Sequence, residues 1–337
     1  MEILLTSVAF VVAAICVGVM GYAIQRGATC TVAAMDEVVR KQGFNRLTSM
    51  LEASLWVAGG LVLAQTLHLL PKMPAGYALN YVTVLGGALL GLGAYINKAC
   101  VFGAIARLGS GEWAYALTPV GFFAGCVTFA SVFSFSAQQK LPYDSPILQA
   151  SAWIALPFAA FVVWRLVGPW FAARAVGGSG SAWRNFADGL AAHVWAPHAA
   201  TTVIGITFVL VLLLVGGTWA YTDELVEIAR GMANNLVARN LLLLALLAGA
   251  MLGGWTAGRF RSVSISVAQV TKCFIGGMLM GWGSLLIPGS NDGLILIGIP
   301  LLRPYAWLAF LTMCITIGAA LVLEKLAVGH AAEHAVH

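Results

Sequence analysis

The chain has 337 residues, of which 60% are hydrophobic and 9% charged, with a formal net charge of +5. A soluble domain carries about 25% charged residues, so this composition excludes an ordinary soluble protein and indicates an integral membrane protein. The basic residues are scattered singly between apolar runs, so we expect the lipid bilayer, and no nucleic acid, as a partner.

Apolar runs of about 20 residues, the length that crosses a bilayer, recur along the chain. They predict about nine spans, near 3–25, 49–70, 81–97, 114–135, 146–168, 199–221, 237–257, 268–288 and 304–324. The first run follows Glu2 without a basic segment or a cleavage site, which favours a retained span over a signal peptide. Four shorter segments are predicted to be short re-entrant or broken helices, near 28–40, 100–108, 222–235 and 290–300.

An internal repeat relates the two halves of the chain. The glycine-rich stretch GGALLGLG at 86–93 recurs as GGMLMGWG at 276–283, and the same register aligns Cys100 with Ser290. Five predicted spans separate equivalent positions. Because five is odd, the two halves must lie in opposite orientations, which is typical of transporters. We therefore predict an all-α integral membrane protein built from an inverted repeat.

The repeat and the basic residues together predict the organisation and the orientation. The segments are a first repeat at 1–112, connecting spans at 113–168, an interfacial linker at 169–198, a second repeat at 199–302, and a last span with a polar tail at 303–337. With the N-terminus outside, five of the 18 basic residues lie outside and the other thirteen inside. The positive-inside rule thus predicts an outer N-terminus and an inner C-terminus.

Two cysteines are candidate binding residues. Cys30 and Cys100 each stand at the start of a predicted short helix, where amide dipoles favour an anion and a thiolate. A cation is close to each in sequence, Arg26 to the first and Lys98 to the second. A polarisable sulfur anion would suit such sites. The alternative is that both are buried, inert cysteines, as we expect for the other four.

The segment around Ser290 is the counterpart of the Cys100 segment in the second half. Ser290 and Asn291 begin a predicted short helix, whose first amides can bind an anion or be capped by the serine. Asp292 opposes an anion there unless it pairs with Arg303.

Glycines repeat at four-residue spacing in both halves, which indicates close helix packing. Gly103 and Gly293 follow the apex of the equivalent short segments and are predicted to free backbone N–H groups for a ligand.

Three stretches carry a resemblance to the YeeE/YedE sulfur-transport family of bacterial membrane proteins. Residues 21–30, containing Gln-Arg-Gly with a cysteine three positions later, resemble the first cysteine motif of the family. Residues 86–112 are similar to the second motif and residues 276–293 to the third. The resemblance implies a bacterial cytoplasmic membrane protein. In characterised thiosulfate permeases of this family, three cysteines line a path along which thiosulfate passes through S–H···S contacts, without covalent attachment.

Carried over by position, the resemblance assigns the first two path cysteines to Cys30 and Cys100. Ser290 occupies the place of the third, and Lys98-Ala99 replaces the usual Gly-Gly before the second. A hydroxyl still donates a hydrogen bond but is less polarisable than a thiol. The expected function is therefore permeation of thiosulfate or a related small sulfur-containing anion.

Two other functions remain open at this point. One is a sulfur or selenium relay, with a persulfide on Cys30 delivered to a cytosolic sulfur-carrier protein. The other is a channel for small anions without sulfur on the same scaffold. The chain shows no Ser-His-Asp arrangement, His-x-x-x-His pair or nucleotide-binding loop. We therefore predict neither an enzyme nor a bound cofactor or metal.

Overall fold

The computed structural model describes residues 7–27, 29–133, 138–149, 152–175, 192–231 and 236–334. Their regular structure is helical, apart from one isolated bridge between Tyr77 and Lys140. The first six helices are α1 (Val8–Gly27), α2 (Thr31–Lys41), α3 (Asn45–Thr66), α4 (Tyr81–Asn97), α5 (Val101–Gly109) and α6 (Leu117–Val132). After α7 (Ala155–Ala175) come α8 (Pro197–Val215), α9 (Tyr221–Ala229), α10 (Leu236–Thr256), α11 (Val267–Leu286), α12 (Asn291–Gly298) and α13 (Pro304–His334).

Within the described residues, seven helical segments are long and apolar enough to cross a membrane. The bent pair α11 and α12, inclined by 48°, raises the count to eight. The chain is thus a multi-pass helical membrane protein, but the predicted count of nine is not confirmed. The difference lies in the fifth predicted span, 146–168. Residues 146–149 and 152–154 form 3-10 turns, and α7 begins only at Ala155; within the part of α7 whose side chains the structure describes, the apolar stretch is Ala155–Arg165, which is shorter than a bilayer requires.

Short helices are present at the four predicted places, as α2, α5, α9 and α12. Residues 232–235, the end of the third predicted segment, lie outside the described residues. The fourth ends in a π-helical turn, Leu294–Gly298, in which the hydroxyl of Ser54 donates to the carbonyl of Ile295 at 2.6 Å. That bond satisfies a backbone group at a break in the helical pattern.

The turn between α4 and α5 is built by its own residues. Lys98 ends α4 in the left-handed conformation, with φ 57°, and Cys100 is extended just before α5. The side chain of Asn97 donates to the carbonyl of Ala99 at 2.8 Å, and the hydroxyl of Thr118 donates to the side chain of Asn97 at 3.0 Å. The buried turn therefore has a fixed shape, and it places Cys100 at a helix start.

Glycines bring α4 and α11 into backbone contact. A Cβ atom added to Gly86 would lie 2.9 Å from the carbonyl oxygen of Gly283, and one on Gly283 would lie 2.7 Å from that of Gly86. Gly93 and Gly276 oppose each other in the same way, at 2.6 Å in both directions. The pairing order makes the two helices antiparallel. Any larger residue would push the helices apart, as in other small-residue membrane interfaces.

Each of these two helices uses a further glycine against another helix. Gly87 of α4 faces the carbonyl of Ala309 in α13, and Gly277 of α11 faces the carbonyl of Thr118 in α6. The four helices α4, α6, α11 and α13 thus form one closely packed group.

The predicted linker and tail are only partly described. The linker at 169–198 begins as the end of α7, and residues 176–191 of it lie outside the described residues. Helix α13 continues through the last predicted span into the polar tail, as far as His334.

Candidate functional site

Cys30 and Cys100 face each other at the starts of α2 and α5. The backbone N–H of Thr31 donates to Cys100 Sγ at 3.4 Å, and the backbone N–H of Cys100 donates to Cys30 Sγ at 3.3 Å. Both cysteines are extended, neither caps its own helix, and both are buried, Cys100 completely. The structure therefore brings together two soft sulfur atoms and the positive ends of two helices.

Gly103 allows this close approach. A Cβ atom at Gly103 would lie 2.6 Å from Cys30 Sγ and 3.1 Å from the Cβ atoms of Cys30 and Ala99. A residue with a side chain would displace Cys30. Gly103 thus acts through packing, and its predicted role in presenting an N–H group to a ligand stays a prediction.

Ser290, at the start of α12, belongs to a hydroxyl and carboxylate cluster. Its Oγ lies 2.5 Å from the hydroxyl of Thr222 and also contacts Asp292 Oδ1. The same carboxylate oxygen accepts the hydroxyl of Thr222 at 2.6 Å and the backbone N–H of Gly293 at 3.0 Å. All four residues are buried. The donors predicted to meet a ligand at this helix start are therefore occupied by an internal carboxylate.

Two hydrogen bonds join the cysteine pair to the Ser290 cluster. The hydroxyl of Thr31 donates to the side-chain oxygen of Asn291 at 3.1 Å, and the hydroxyl of Tyr221 donates to the carbonyl of Val101 at 3.0 Å. The starts of α2, α5, α9 and α12 consequently meet in one buried centre.

Three buried polar groups close to these helix starts have no hydrogen-bond partner among the described residues. They are the amide Nδ2 of Asn291, the hydroxyl of Thr29 and the indole Nε1 of Trp219. Unpaired buried donors are uncommon and point to a transient partner. A passing anion would supply acceptors for them.

A cavity of about 250 Å³ opens beside the cysteine pair, and we call it the Lys98 vestibule. It is lined by Val32, Ala33, Asp36, Arg40, Tyr95, Lys98, Arg107, Leu321 and Glu324. Arg40 pairs with Asp36 at 2.6 Å and Arg107 with Glu112 at 3.0 Å, whereas Lys98 is exposed and forms no ion pair with the described residues. Lys98 is thus available to an anion in the vestibule, although it does not reach the buried centre through any described contact.

Arg26 is placed differently from the cysteines. Its guanidinium donates to the carbonyl of Ala192 at 2.6 Å, to the hydroxyl of Tyr22 at 2.8 Å and to the hydroxyl of Thr256 at 2.9 Å. These bonds tie the end of α1 to α10 and to the segment before α8. Among the described residues they give Arg26 a structural role, and substrate binding by it stays a prediction.

Arg303 does not pair with Asp292. Its guanidinium donates instead to the backbone carbonyls of Tyr143 at 3.2 Å and Pro74 at 3.3 Å. Arg303 therefore does not neutralise Asp292, and the carboxylate still opposes an anion at the start of α12.

Sequence reasoning missed three residues of the centre, Thr31, Tyr221 and Thr222. The repeat contained a signal for two of them, because the register that aligns Cys100 with Ser290 also aligns Cys30 with Ala220. Ala220 is the extended residue before α9. The repeat therefore aligns the first residues of α9, Tyr221 and Thr222, with the residues that follow Cys30.

Broken and short helices that meet at a buried polar centre, within a bundle of apolar helices, define a membrane protein of the transporter class. Residues 26–321 match the model of the sulphur transport family, so the chain belongs to the YeeE/YedE sulfur-transport family. No curated protein gives a significant match to the chain. The protein is thus a sulfur-related membrane transporter.

Proposed function

We propose that the protein is a permease for thiosulfate or a related small sulfur-containing anion. The observation that carries the proposal is the reciprocal pairing of Cys30 and Cys100, in which each sulfur accepts a backbone N–H at the start of a short helix. Thiols are weak donors and polarisable contacts, and the helix starts favour negative charge. Together they suit an anion that carries a sulfur atom.

The anion moves without a covalent bond in this proposal. The path joins the Lys98 vestibule to the Ser290 cluster on the other side of the centre and runs between Cys30 and Cys100. The anion can travel along it in either direction. The unpaired donors of Asn291, Thr29 and Trp219 replace part of its hydration shell. No group on this path is consumed.

An inverted repeat would place the two halves of this path on opposite sides of the membrane. The contacts of α4 and α11 support such a repeat, because Gly86 meets Gly283 while their repeat equivalents, Gly276 and Gly93, also meet. When a contact between two residues recurs between their repeat equivalents, the two repeats are related by a two-fold axis. The equivalent contacts of α4 with α13 and α11 with α6 extend the repeats beyond the predicted ends at 112 and 302.

We further propose that the protein lies in a bacterial cytoplasmic membrane with its N-terminus outside. The excess of basic residues on the side of the Lys98 vestibule supports this orientation. The vestibule would then open to the cytoplasm and the Ser290 cluster to the exterior.

Labelled thiosulfate uptake tests the proposed function in cells that lack other sulfate and thiosulfate importers. We expect wild-type protein to support uptake and Ser290→Cys to increase it, because a thiol replaces a harder hydroxyl at the third position of the path. Absence of uptake by well-expressed wild-type protein would contradict thiosulfate as the substrate. A Ser290→Cys variant no faster than wild type would contradict the assignment of Ser290 to the path.

Lys98→Gly tests two effects of Lys98 by separate measurements: backbone strain by thermal stability, and anion binding at the vestibule by the KM for thiosulfate. Lys98 has φ 57°, a conformation that favours glycine, so Lys98→Gly relieves strain of about 1 kcal/mol and should raise the thermal stability. An exposed charge contributes about 0.2–1 kcal/mol, so we expect the KM for thiosulfate to rise by about 1.4- to fivefold. An unchanged KM in a more stable protein would show that Lys98 does not attract the anion.

A further inference from the structure

Asp292 is a buried carboxylate without a counter-charge. Its residue is 2% exposed, and it forms no ion pair with the described residues. The arginine closest in sequence, Arg303, is bound to backbone carbonyls instead. An isolated buried carboxylate is costly in its charged form. Ionisable groups within membrane segments commonly serve ion and proton pathways.

The hydrogen bonds of Asp292 occupy the donors that an anion would need at Ser290. Thr222, Ser290 and the N–H of Gly293 all donate to Oδ1, and no described hydrogen bond reaches Oδ2. While it is ionised, Asp292 therefore acts as a tethered anion at the start of α12 and repels a second one. A proton on Oδ2 would remove that charge without breaking the bonds to Oδ1.

The charged and titratable groups of the neighbouring helices offer Asp292 no free positive charge. On α9, Asp223 is a further carboxylate, and the phenol of Tyr221 donates to the carbonyl of Val101. Arg239 on α10 is already paired with Glu224 and Glu227, also on α9.

A small cavity beside Asp292 is lined by apolar side chains from four other helices. Its lining from α1, α5, α8 and α10 does not titrate, and consists of Met20, Phe102, Phe208 and Leu246. The thiols of Cys30 and Cys100 are the other titratable groups described in the centre; Cys100 Sγ accepts the N–H of Thr31, and Cys30 Sγ accepts the N–H of Cys100.

We propose that Asp292 binds the proton that accompanies the transported anion, so that the anion passes Ser290 only while Asp292 is protonated. The inference rests on the permease function proposed above and deepens it, because it makes the protein a proton–anion symporter. A proton from the water on one side binds the carboxylate, the anion crosses the neutralised centre, and the proton then leaves to the other side.

The test uses purified full-length protein in liposomes that contain a trapped pH-sensitive dye, with labelled thiosulfate outside. Thiosulfate uptake and acidification of the liposome interior are recorded together, from mildly acidic to mildly alkaline external pH. Because the protonated form is the permissive one, uptake falls as pH rises, by about tenfold per pH unit above the pKa of the gating group. Interior acidification follows the same profile.

Asp292→Asn keeps the shape of the side chain and cannot ionise, so we expect uptake by this variant to be independent of pH and to occur without acidification. Asp144→Asn is the matched control, because Asp144 is an exposed carboxylate outside the site, and it should keep both wild-type profiles. If Asp292→Asn does not fold, the pH profile and the acidification recorded with wild-type protein still test whether a proton accompanies the anion.

Two results would overturn the inference while the permease function stands. One is wild-type uptake that is equal at every pH and free of acidification. The other is an Asp292→Asn variant with the pH profile of wild type. Absence of thiosulfate uptake by wild-type protein at every pH would instead overturn the permease function, and the coupling with it.

Discussion

Cys100→Ala is expected to lower thiosulfate uptake by at least about fivefold. The substitution removes the sulfur that accepts the N–H of Thr31. A buried group left without its partner costs about 1–3 kcal/mol, and each 1.4 kcal/mol corresponds to about tenfold. It also removes one of the two soft contacts to the anion. Uptake is measured in cells and normalised to the amount of protein in the membrane.

Cys126→Ala is the matched control for this experiment. Cys126 is also a buried cysteine, but it lies on α6 against α11, with its sulfur 4.0 Å from the carbonyl oxygen of Gly281. We expect a small loss of stability and unchanged uptake. Cys100→Ser should be intermediate, since a hydroxyl keeps a hydrogen bond but loses polarisability. Equal uptake by Cys100→Ala and Cys126→Ala would contradict a role for the cysteine pair.

Gly103→Ala is expected to lower both thermal stability and uptake. The added Cβ would lie 2.6 Å from Cys30 Sγ, so Cys30 must move away from Cys100. Overpacking of this kind typically costs about 1–3 kcal/mol. The measurement is thermal unfolding of the purified protein, together with uptake in cells.

The repeat supplies the control for Gly103→Ala, because Gly293 is its equivalent position. A Cβ on Gly293 would have no heavy atom within 4 Å, and its φ of −61° is compatible with alanine. Alanine is favoured over glycine within helices by about 0.5–1 kcal/mol, so Gly293→Ala should unfold at the wild-type temperature or above. Equal stability losses in the two variants would mean that the contact with Cys30 is not what requires glycine at position 103.

Much of the fold was predictable because hydropathy and the repeat are properties of the sequence alone. Apolar runs located the long helices, and small or polar residues after glycine-rich turns located α2, α5, α9 and α12. The fifth predicted span was not confirmed, since hydropathy cannot distinguish the 3-10 turns at 146–149 and 152–154 from the start of a long helix. Hydropathy also fails to locate the boundary wherever an apolar run passes from 3-10 turns into an α-helix.

The positions of the candidate residues were predictable from the sequence, and their contacts were less so. Cys30 and Cys100 were placed correctly at helix starts, but no local pattern encodes that the two starts touch. Closeness in sequence suggested that Arg26 accompanies Cys30, whereas helical spacing turns the Arg26 side chain toward Tyr22, one turn earlier. Likewise, only the three-dimensional structure shows that Asp292 holds the donors around Ser290.

Uptake of labelled thiosulfate into liposomes that contain the purified protein, without any sulfur-carrier protein, tests the central claim most directly. The account predicts that thiosulfate accumulates inside unchanged, and that Cys30→Ala and Cys100→Ala strongly lower the uptake while Cys126→Ala does not. Uptake that depends on an added sulfur carrier, or that leaves a persulfide on Cys30, would contradict a non-covalent permease. Equal uptake by wild type and both site variants would contradict the proposed path.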